Sequence, residues 1–213
     1  MQLNEEKIVK EFKKIKLKNP HPSKYPQNRD GGAGNTLEEL LGVRENNKKK
    51  PDYLNFECKT YRRNSSANIS LASKVPTEFE GSQRYLWENF GRKDDKGLNR
   101  FYATIPGNEK GKKKKWTIVY KKIKMRIQIN REKEKIKLFI KDLNDKIILD
   151  NIFWTFRDIK ESIEKLNDIM VAEVTEVKKK YFSYNHADLF WNFNFDRFLE
   201  EIENDMILLD IRC

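Results

Sequence analysis

The sequence predicts a mixed α/β domain. Three observations carry that class. Ile8, Phe12 and Ile15 fall at helical spacing near the N-terminus. Tyr53 to Tyr61 has the residue types and length of a strand. From Trp116 onward the apolar period becomes two and holds through several successive segments.

The elements follow in order. Asn4 is the expected cap of the first helix. That helix must end before Asn19-Pro20-His21-Pro22, because proline excludes the helical conformation from the residue before it. A loop is expected next, closing with Gly31-Gly32-Ala33-Gly34. Thr36-Leu37-Glu38-Glu39 has the pattern of a capping box opening a second, short helix, with Thr36 as cap and Glu39 folding back to it. Glu38 is then available to point elsewhere. Asn46 to Lys50 reads as a polar, basic loop. Tyr53–Tyr61 and Asn68–Val75 read as strands, and residues 77–115 as mostly loop. Turn signals stand at Asp94-Asp95-Lys96-Gly97 and Pro106-Gly107-Asn108.

Then Trp116, Ile118 and Tyr120 alternate with other residues. Ile123, Met125, Ile127 and Ile129 alternate strictly with Lys124, Arg126 and Gln128. Ile136, Leu138 and Ile140 repeat the pattern, and Ile147–Phe153 is another apolar run. This predicts an antiparallel meander with one wet, basic face. Thr155-Phe156-Arg157-Asp158 resembles a second capping box, opening a helix with Phe156, Ile159, Ile163 and Leu166 on one side. A strand over Ile169–Val177, a helix over Phe195–Ile202 and a strand over Met206–Ile211 complete the chain. There is no internal repeat, and the single low-complexity run is Lys112–Lys115.

A chain of 213 residues fits one domain, or one domain with a small lobe. Its net charge of +11 points to a polyanionic partner. Membrane binding would want a basic amphipathic helix with a wide apolar face. Here the densest basic run sits beside strand-like sequence, which favours nucleic acid. Two isolated cysteines, Cys58 and Cys213, give neither a zinc motif nor a disulfide framework. That usage, with no signal-peptide core and no membrane-length apolar run, leads us to expect a cytoplasmic protein with no membrane partner.

The chemistry concentrates in Pro51-Asp52-Tyr53-Leu54-Asn55-Phe56-Glu57-Cys58-Lys59. On a strand, Glu57 and Lys59 are two apart and share a side, while Phe56 and Cys58 face a core. Asp52 stands at the strand entrance, placed to lean toward Glu57. Two close carboxylates repel unless a cation sits between them. Mg²⁺ suits such a pair, being a hard ion held by one or two carboxylates with waters and phosphate oxygens. Lys59 would orient or help deprotonate a water, or neutralise a pentavalent phosphate. Glu38 is a candidate further carboxylate. The plain alternative is a surface strand with solvated Glu and Lys, since the bare string arises often by chance.

Longer motifs narrow the choice. Gly34-Asn35-Thr36-Leu37-Glu38-Glu39-Leu40-Leu41, Pro51-Asp52 and Glu57-Cys58-Lys59-Thr60 resemble the PD-(D/E)XK nucleases of the MvaI/BcnI type, restriction endonucleases related to the nicking enzyme MutH. Ser73-Lys74-Val75-Pro76-Thr77 resembles the family's second core strand, and Tyr85–Gly97 a basic loop. Asp150–Phe156 and Tyr184–Phe190 resemble further segments in the same order. The resemblance spans about residues 30–212.

It implies a PD-(D/E)XK restriction-endonuclease-like core, a mixed β-sheet flanked by helices, to which the antiparallel meander is added. It implies that Glu38, Asp52, Glu57 and Lys59 are active-site residues, with Asp52 and Glu57 holding Mg²⁺. It implies a type II restriction endonuclease that hydrolyses double-stranded DNA at a short G·C-rich site and leaves 5′-phosphates. It implies action as a monomer, opposed by a cognate DNA methyltransferase. We expect a single nuclease domain over 1–213, its catalytic core about 30–80 plus 147–213 and a basic DNA-binding lobe about 81–146. The family continues past the strand matching Met206–Arg212 with a Lys/His/Arg-rich recognition segment, which the sequence ending at Cys213 is expected to lack.

DNA-binding candidates are Arg62, Arg63, Lys74, Arg84, Arg92 and Lys93, and the loop run Lys112, Lys113, Lys114 and Lys115. Arginine reads guanine through its fork, and lysines hold phosphate. The loop run is equally consistent with a solvated segment. His186 reads as a surface or capping residue, and the tryptophans as packing. Two other functions compete: a MutH-like nicking enzyme, and a truncated DNA-binding module without catalysis.

Overall fold

The computed structural model describes residues 2–25, 27, 31–43, 50–77, 81–107 and 116–213. In chain order come helix α1 (Gln2–Leu17), strand β1 (His21–Pro22), helix α2 (Gly32–Leu40), strand β2 (Phe56–Arg62) and helix α3 (Ser82–Phe90). Strands β3 (Arg92–Lys93), β4 (Asn99–Arg100), β5 (Tyr102–Ile105), β6 (Thr117–Val119), β7 (Ile123–Asn130), β8 (Lys135–Asp142) and β9 (Ile147–Thr155) follow. Helix α4 (Phe156–Ile163), a 3₁₀ turn (Glu164–Leu166), strands β10 (Asp168–Lys178) and β11 (Tyr181–Phe190), helix α5 (Phe195–Glu203) and strand β12 (Leu209–Arg212) complete it. They form two compact units, Met1–Ala72 with Ile163–Asn194 and Ser73–Ser162 with Phe195–Cys213.

The first unit is built on a four-stranded mixed sheet of order β1-β11-β10-β2. β2 and β10 are parallel, with Ile169 opposite Glu57, and the other pairs are antiparallel. One sheet face carries Phe56, Cys58, Met170, Ala172, Val174, Phe182 and Tyr184 into a core with Ile8, Phe12 and Ile15 of α1 and Leu37 of α2. The helical spacing in α1 is thus the spacing of its buried stripe. Asn4 lies inside that helix rather than capping it.

α2 corrects the sequence reading. The glycines expected to close a loop form its first turn, with Gly31 as N-cap. Thr36 is therefore inside the helix and fully buried. Its hydroxyl donates to the Gly32 carbonyl at 2.7 Å and accepts the Lys24 N–H at 3.1 Å. Glu39 does not fold back but pairs with Lys24 at 3.3 Å. Close packing explains the early start. A Cβ at Gly32 would sit 3.3 Å from the Tyr25 carbonyl oxygen, so only glycine fits without adjustment there. The Tyr184 hydroxyl then donates to the Ala33 carbonyl at 2.7 Å, tying this turn to β11.

β2 also begins later than Tyr53. Leu54 and Asn55 take left-handed φ values of 49° and 77°. Tyr53 and Phe56 exchange backbone hydrogen bonds across them, at 3.0 and 2.8 Å. This is the geometry of a tight two-residue hairpin turn. The segment Asn68–Val75 pairs with no strand among the described residues, so the second expected strand is absent. Val75 is exposed and Ile69 and Leu71 are only half-buried, so the alternating apolar side chains of this stretch find no sheet face to cover.

In the second unit the meander is present in the order β6-β7-β8-β9. Ile123, Met125 and Ile127 of β7 and Ile136, Leu138 and Ile140 of β8 are buried, as the alternation predicts. Residues 81–105 are not the expected loop. They form α3, a β3–β4 hairpin around the expected turn at Asp94–Gly97, and β5. α5 and β12, expected with the catalytic core, fall in this unit, where β12 pairs with β5. β12 starts at Leu209, since Met206 is exposed. No helix among the described residues is long and apolar enough to cross a membrane.

Half of the capping box at α4 forms, while the Thr155 N–H donates to Thr77 Oγ1 at 3.3 Å instead of to the Asp158 carboxylate. The Asp158 N–H donates to Thr155 Oγ1 at 3.1 Å. The Asp158 carboxylate accepts the hydroxyls of Thr155 and Thr77, both at 2.6 Å, and pairs with Lys74 at 3.1 Å. These bonds, the threonine hydroxyls foremost, hold its carboxyl well below the usual carboxylate range. A depressed carboxyl stabilises the fold above its unfolded pKa, and that stability is lost as pH falls through the folded value. The melting-temperature gap between wild type and Asp158→Asn is therefore expected to be widest near neutrality. It should close on acidification below about pH 4, the ordinary aspartate range. A gap unchanged across that interval would contradict the assignment.

Candidate active site

The site is assembled at the start of β2, in the first unit. The turn at Leu54-Asn55 folds Asp52 back along the strand, where its Oδ2 accepts the Cys58 N–H at 2.9 Å. β2 is the end strand of its sheet, so this carboxylate satisfies a strand donor on the unpaired side. Glu57 and Lys59 share a side, as strand geometry requires, and Lys59 Nζ lies 2.8 Å from Glu57 Oε1. Glu57 is only 1% exposed.

A second ammonium reaches the same oxygen. Lys165 Nζ lies 2.6 Å from Glu57 Oε1. It comes from the 3₁₀ turn that leads into β10, and the parallel pairing sets that turn beside the start of β2. Nothing local in Glu164-Lys165-Leu166 signals this, because the proximity is created wholly by strand pairing. Sequence reasoning missed it.

The electrostatics follow from burial. Desolvation of the half-buried Asp52 raises its carboxyl above the usual range, and the neighbouring Glu57 charge adds to the rise. The Cys58 N–H, Lys165 and Lys59 oppose it in that order. The Cys58 thiol is pushed far up by burial, with the charges of Asp52, Glu38 and Glu57 reinforcing the shift. It stays a neutral core group and is no nucleophile. Glu38, half-buried on α2, is thus in electrostatic reach of this cluster.

A divalent cation is consistent with these groups on two counts. Glu57 Oε2 is buried and has no hydrogen-bond partner among the described residues. Asp52 and Glu57 are hard oxygen donors. No group of three or more His, Cys, Asp or Glu that could hold a metal occurs among the described residues. A two-carboxylate site suits Mg²⁺, which keeps several waters, and suits no all-protein cage.

Four of the basic candidates are paired with carboxylates of their own unit. Arg62 pairs with Glu176 at 3.5 Å and Arg63 with Glu173 at 4.0 Å. Lys74 pairs with Asp158, and Arg84 with Glu88 at 2.8 Å. Arg92 lies 4.0 Å over the Tyr120 ring, and Lys93 is exposed on β3. Lys112, Lys113, Lys114 and Lys115 lie outside the described residues. A denser basic surface is the outer face of the meander. There Arg126 and Lys141 lie 4.8 Å from the Trp116 ring, Lys137 5.0 Å from Phe139 and Lys135 3.7 Å from Phe153. None of these four has a carboxylate partner among the described residues. The alternation of Lys124, Arg126 and Gln128 was the signal for this face. His186 is exposed and pairs with Asp188 at 3.0 Å, a surface role.

A model of the MvaI/BcnI restriction endonuclease family matches residues 9–213. A solved complex of restriction endonuclease MvaI with its cognate DNA substrate is similar at a TM-score of 0.80 and 28% identity, over 96% of this chain and 82% of that one. MvaI in the absence of DNA is similar at a TM-score of 0.54 and 25% identity, over 95% and 80% of the two chains. No curated protein sequence matches the chain. With a family match over almost its whole length, this chain belongs to the MvaI/BcnI restriction endonuclease family.

Proposed function

We propose that the chain is a Mg²⁺-dependent type II restriction endonuclease that hydrolyses double-stranded DNA at a short G·C-rich site and leaves 5′-phosphates. The observation that carries this is Glu57, a buried carboxylate paired with Lys59, within electrostatic reach of Asp52, and with one oxygen left unsatisfied among the described residues. Asp52 and Glu57 would hold the ion, which supplies Lewis acidity toward water and toward the scissile phosphate. The chain's own groups do the rest. Lys59, tethered to Glu57, presents its ammonium on the Glu57 side of β2, where it orients the attacking water or neutralises charge gathering on the phosphate. Glu38 supplies further negative charge from α2 and helps hold the ion's waters. The buried Phe56 and Cys58 anchor the strand, so both charged groups are fixed in direction.

Duplex binding falls to the basic side chains. Arg62, Arg63, Lys74, Arg84, Arg92, Lys93 and the Lys112–Lys115 run are assigned to DNA, with Arg126, Lys135, Lys137 and Lys141 of the meander added as phosphate contacts. Phosphate contacts give affinity and register, and base-edge contacts give specificity. The enzyme acts as a monomer in the cytoplasm, and its biological counterpart is a DNA methyltransferase that protects the same site.

The test is plasmid cleavage under Mg²⁺. Wild type is expected to cut and Asp52→Ala not to cut, while both bind DNA with the same dependence on salt. Equal cutting by the two proteins would remove Asp52 from the site. Salt-sensitive binding with no cutting by wild type would leave a DNA-binding module.

A further inference from the structure

We infer that Lys165 is the site's built-in counter-cation: a positioning residue that occupies the ion's place on Glu57 and yields it when a divalent ion arrives. The inference rests on the metal-dependent reading above and adds a residue outside its motif. Glu57 is almost wholly buried, and an isolated carboxylate there would be costly to keep ionised. Two ammoniums meet on its Oε1, at 2.8 and 2.6 Å, while Oε2 has no partner among the described residues. Two positive charges on one carboxylate oxygen match the charge of a single divalent cation. A plain stabilising ion pair would need only one of them.

The two lysines differ in attachment. Lys59 stands on β2 itself, two residues from Glu57, and its direction is set by the strand. Lys165 comes from a short 3₁₀ turn and is more exposed, with 34% of its side chain accessible against 21% for Lys59. A four-carbon stem anchored in such a turn can swing its ammonium to solvent without disturbing the sheet. Lys165 also lies within electrostatic reach of Asp52, the other carboxylate of the site. It is therefore bonded to one proposed ligand and within electrostatic reach of the other. Metal entry is then an exchange of cations at Glu57 rather than the filling of a bare anionic hole. The exchange keeps Glu57 ionised and oriented in the free enzyme and makes its hold on metal alone weak.

The test uses the full chain without DNA, with Mg²⁺ or Mn²⁺ alone as the probe. Melting temperature is followed against metal concentration, since a ligand that binds only the folded state raises it by mass action. Lys165→Gln is expected to melt lower than wild type without metal and to bind metal about tenfold more tightly, the scale on which groups around a metal ligand change its affinity. Lys165→Arg keeps a cation on Glu57 and should stay near wild type in both. Lys178→Gln, a matched loss of charge on an exposed lysine of the same unit, should leave metal affinity unchanged. Wild-type or weaker metal affinity in Lys165→Gln would overturn the inference, making the contact a structural ion pair only. So would equal tightening in Lys178→Gln. If no protein shows a metal-dependent shift that Glu57→Gln removes, the metal reading falls and the inference falls with it.

Discussion

Glutamine in place of Glu57 is expected to abolish DNA cleavage while leaving a folded protein. The amide keeps the shape but not the charge. It cannot balance two ammoniums, and it is a poor ligand for a hard divalent ion. The rate loss should be about 10³-fold or more, as for groups that act directly at a reacting centre. Removing one partner of a buried ion pair can cost about 3–5 kcal/mol when the other charge is stranded. Here the stranded charges are lysines with 21% and 34% of their side chains accessible, on flexible stems. They can reach water, so the stability loss should be much smaller. Cleavage assays beside denaturant melts separate the two effects. A variant that cuts at the wild-type rate would sink the proposed role. A variant that loses activity only by unfolding would show that Glu57 serves the fold first.

Phe56→Ala is expected to cost about 3–5 kcal/mol of stability, the range for deleting a buried phenylalanine side chain. Phe56 is 2% exposed and lies in the core that joins β2, β10 and β11 to α1 and α2. Net stability of a domain is only about 5–15 kcal/mol, so this one change removes a large share. Cleavage should fail at temperatures where wild type still cuts, because the strand carrying Glu57 and Lys59 loses its anchor. Val177→Ala, at an exposed β10 position, is the control and should stay within about 0.5 kcal/mol. A Phe56→Ala loss below about 1 kcal/mol by guanidinium unfolding would mean that the site collapses to fill the cavity.

The candidate site was legible in part. Glu57 and Lys59 could be read together because a strand repeats every two residues, and that period holds wherever the strand goes. The sequence places Asp52 near them but predicts strand where the Leu54-Asn55 turn brings it back. Its Leu54 takes a left-handed backbone that leucine seldom adopts, and no local preference announces it. The α2 boundary was misjudged for a related reason. Thr36 and Glu39 form a good capping pattern, yet packing of the glycine turn against Tyr25 and Thr60 starts the helix earlier. α3 was missed because Ser82–Phe90 has a narrow apolar stripe in which only Leu86 is a buried apolar residue.

By itself the sequence determined the periodicities: the α1 stripe of Ile8, Phe12 and Ile15, the alternation through β7 and β8, and the shared side of Glu57 and Lys59. These are consequences of local backbone geometry, which each segment carries with it. Only the tertiary structure decided that β10 lies parallel to β2 and so delivers Lys165 to Glu57 from far along the chain. Pairing between distant strands depends on the whole core agreeing on one register, and no short stretch of residues encodes that agreement.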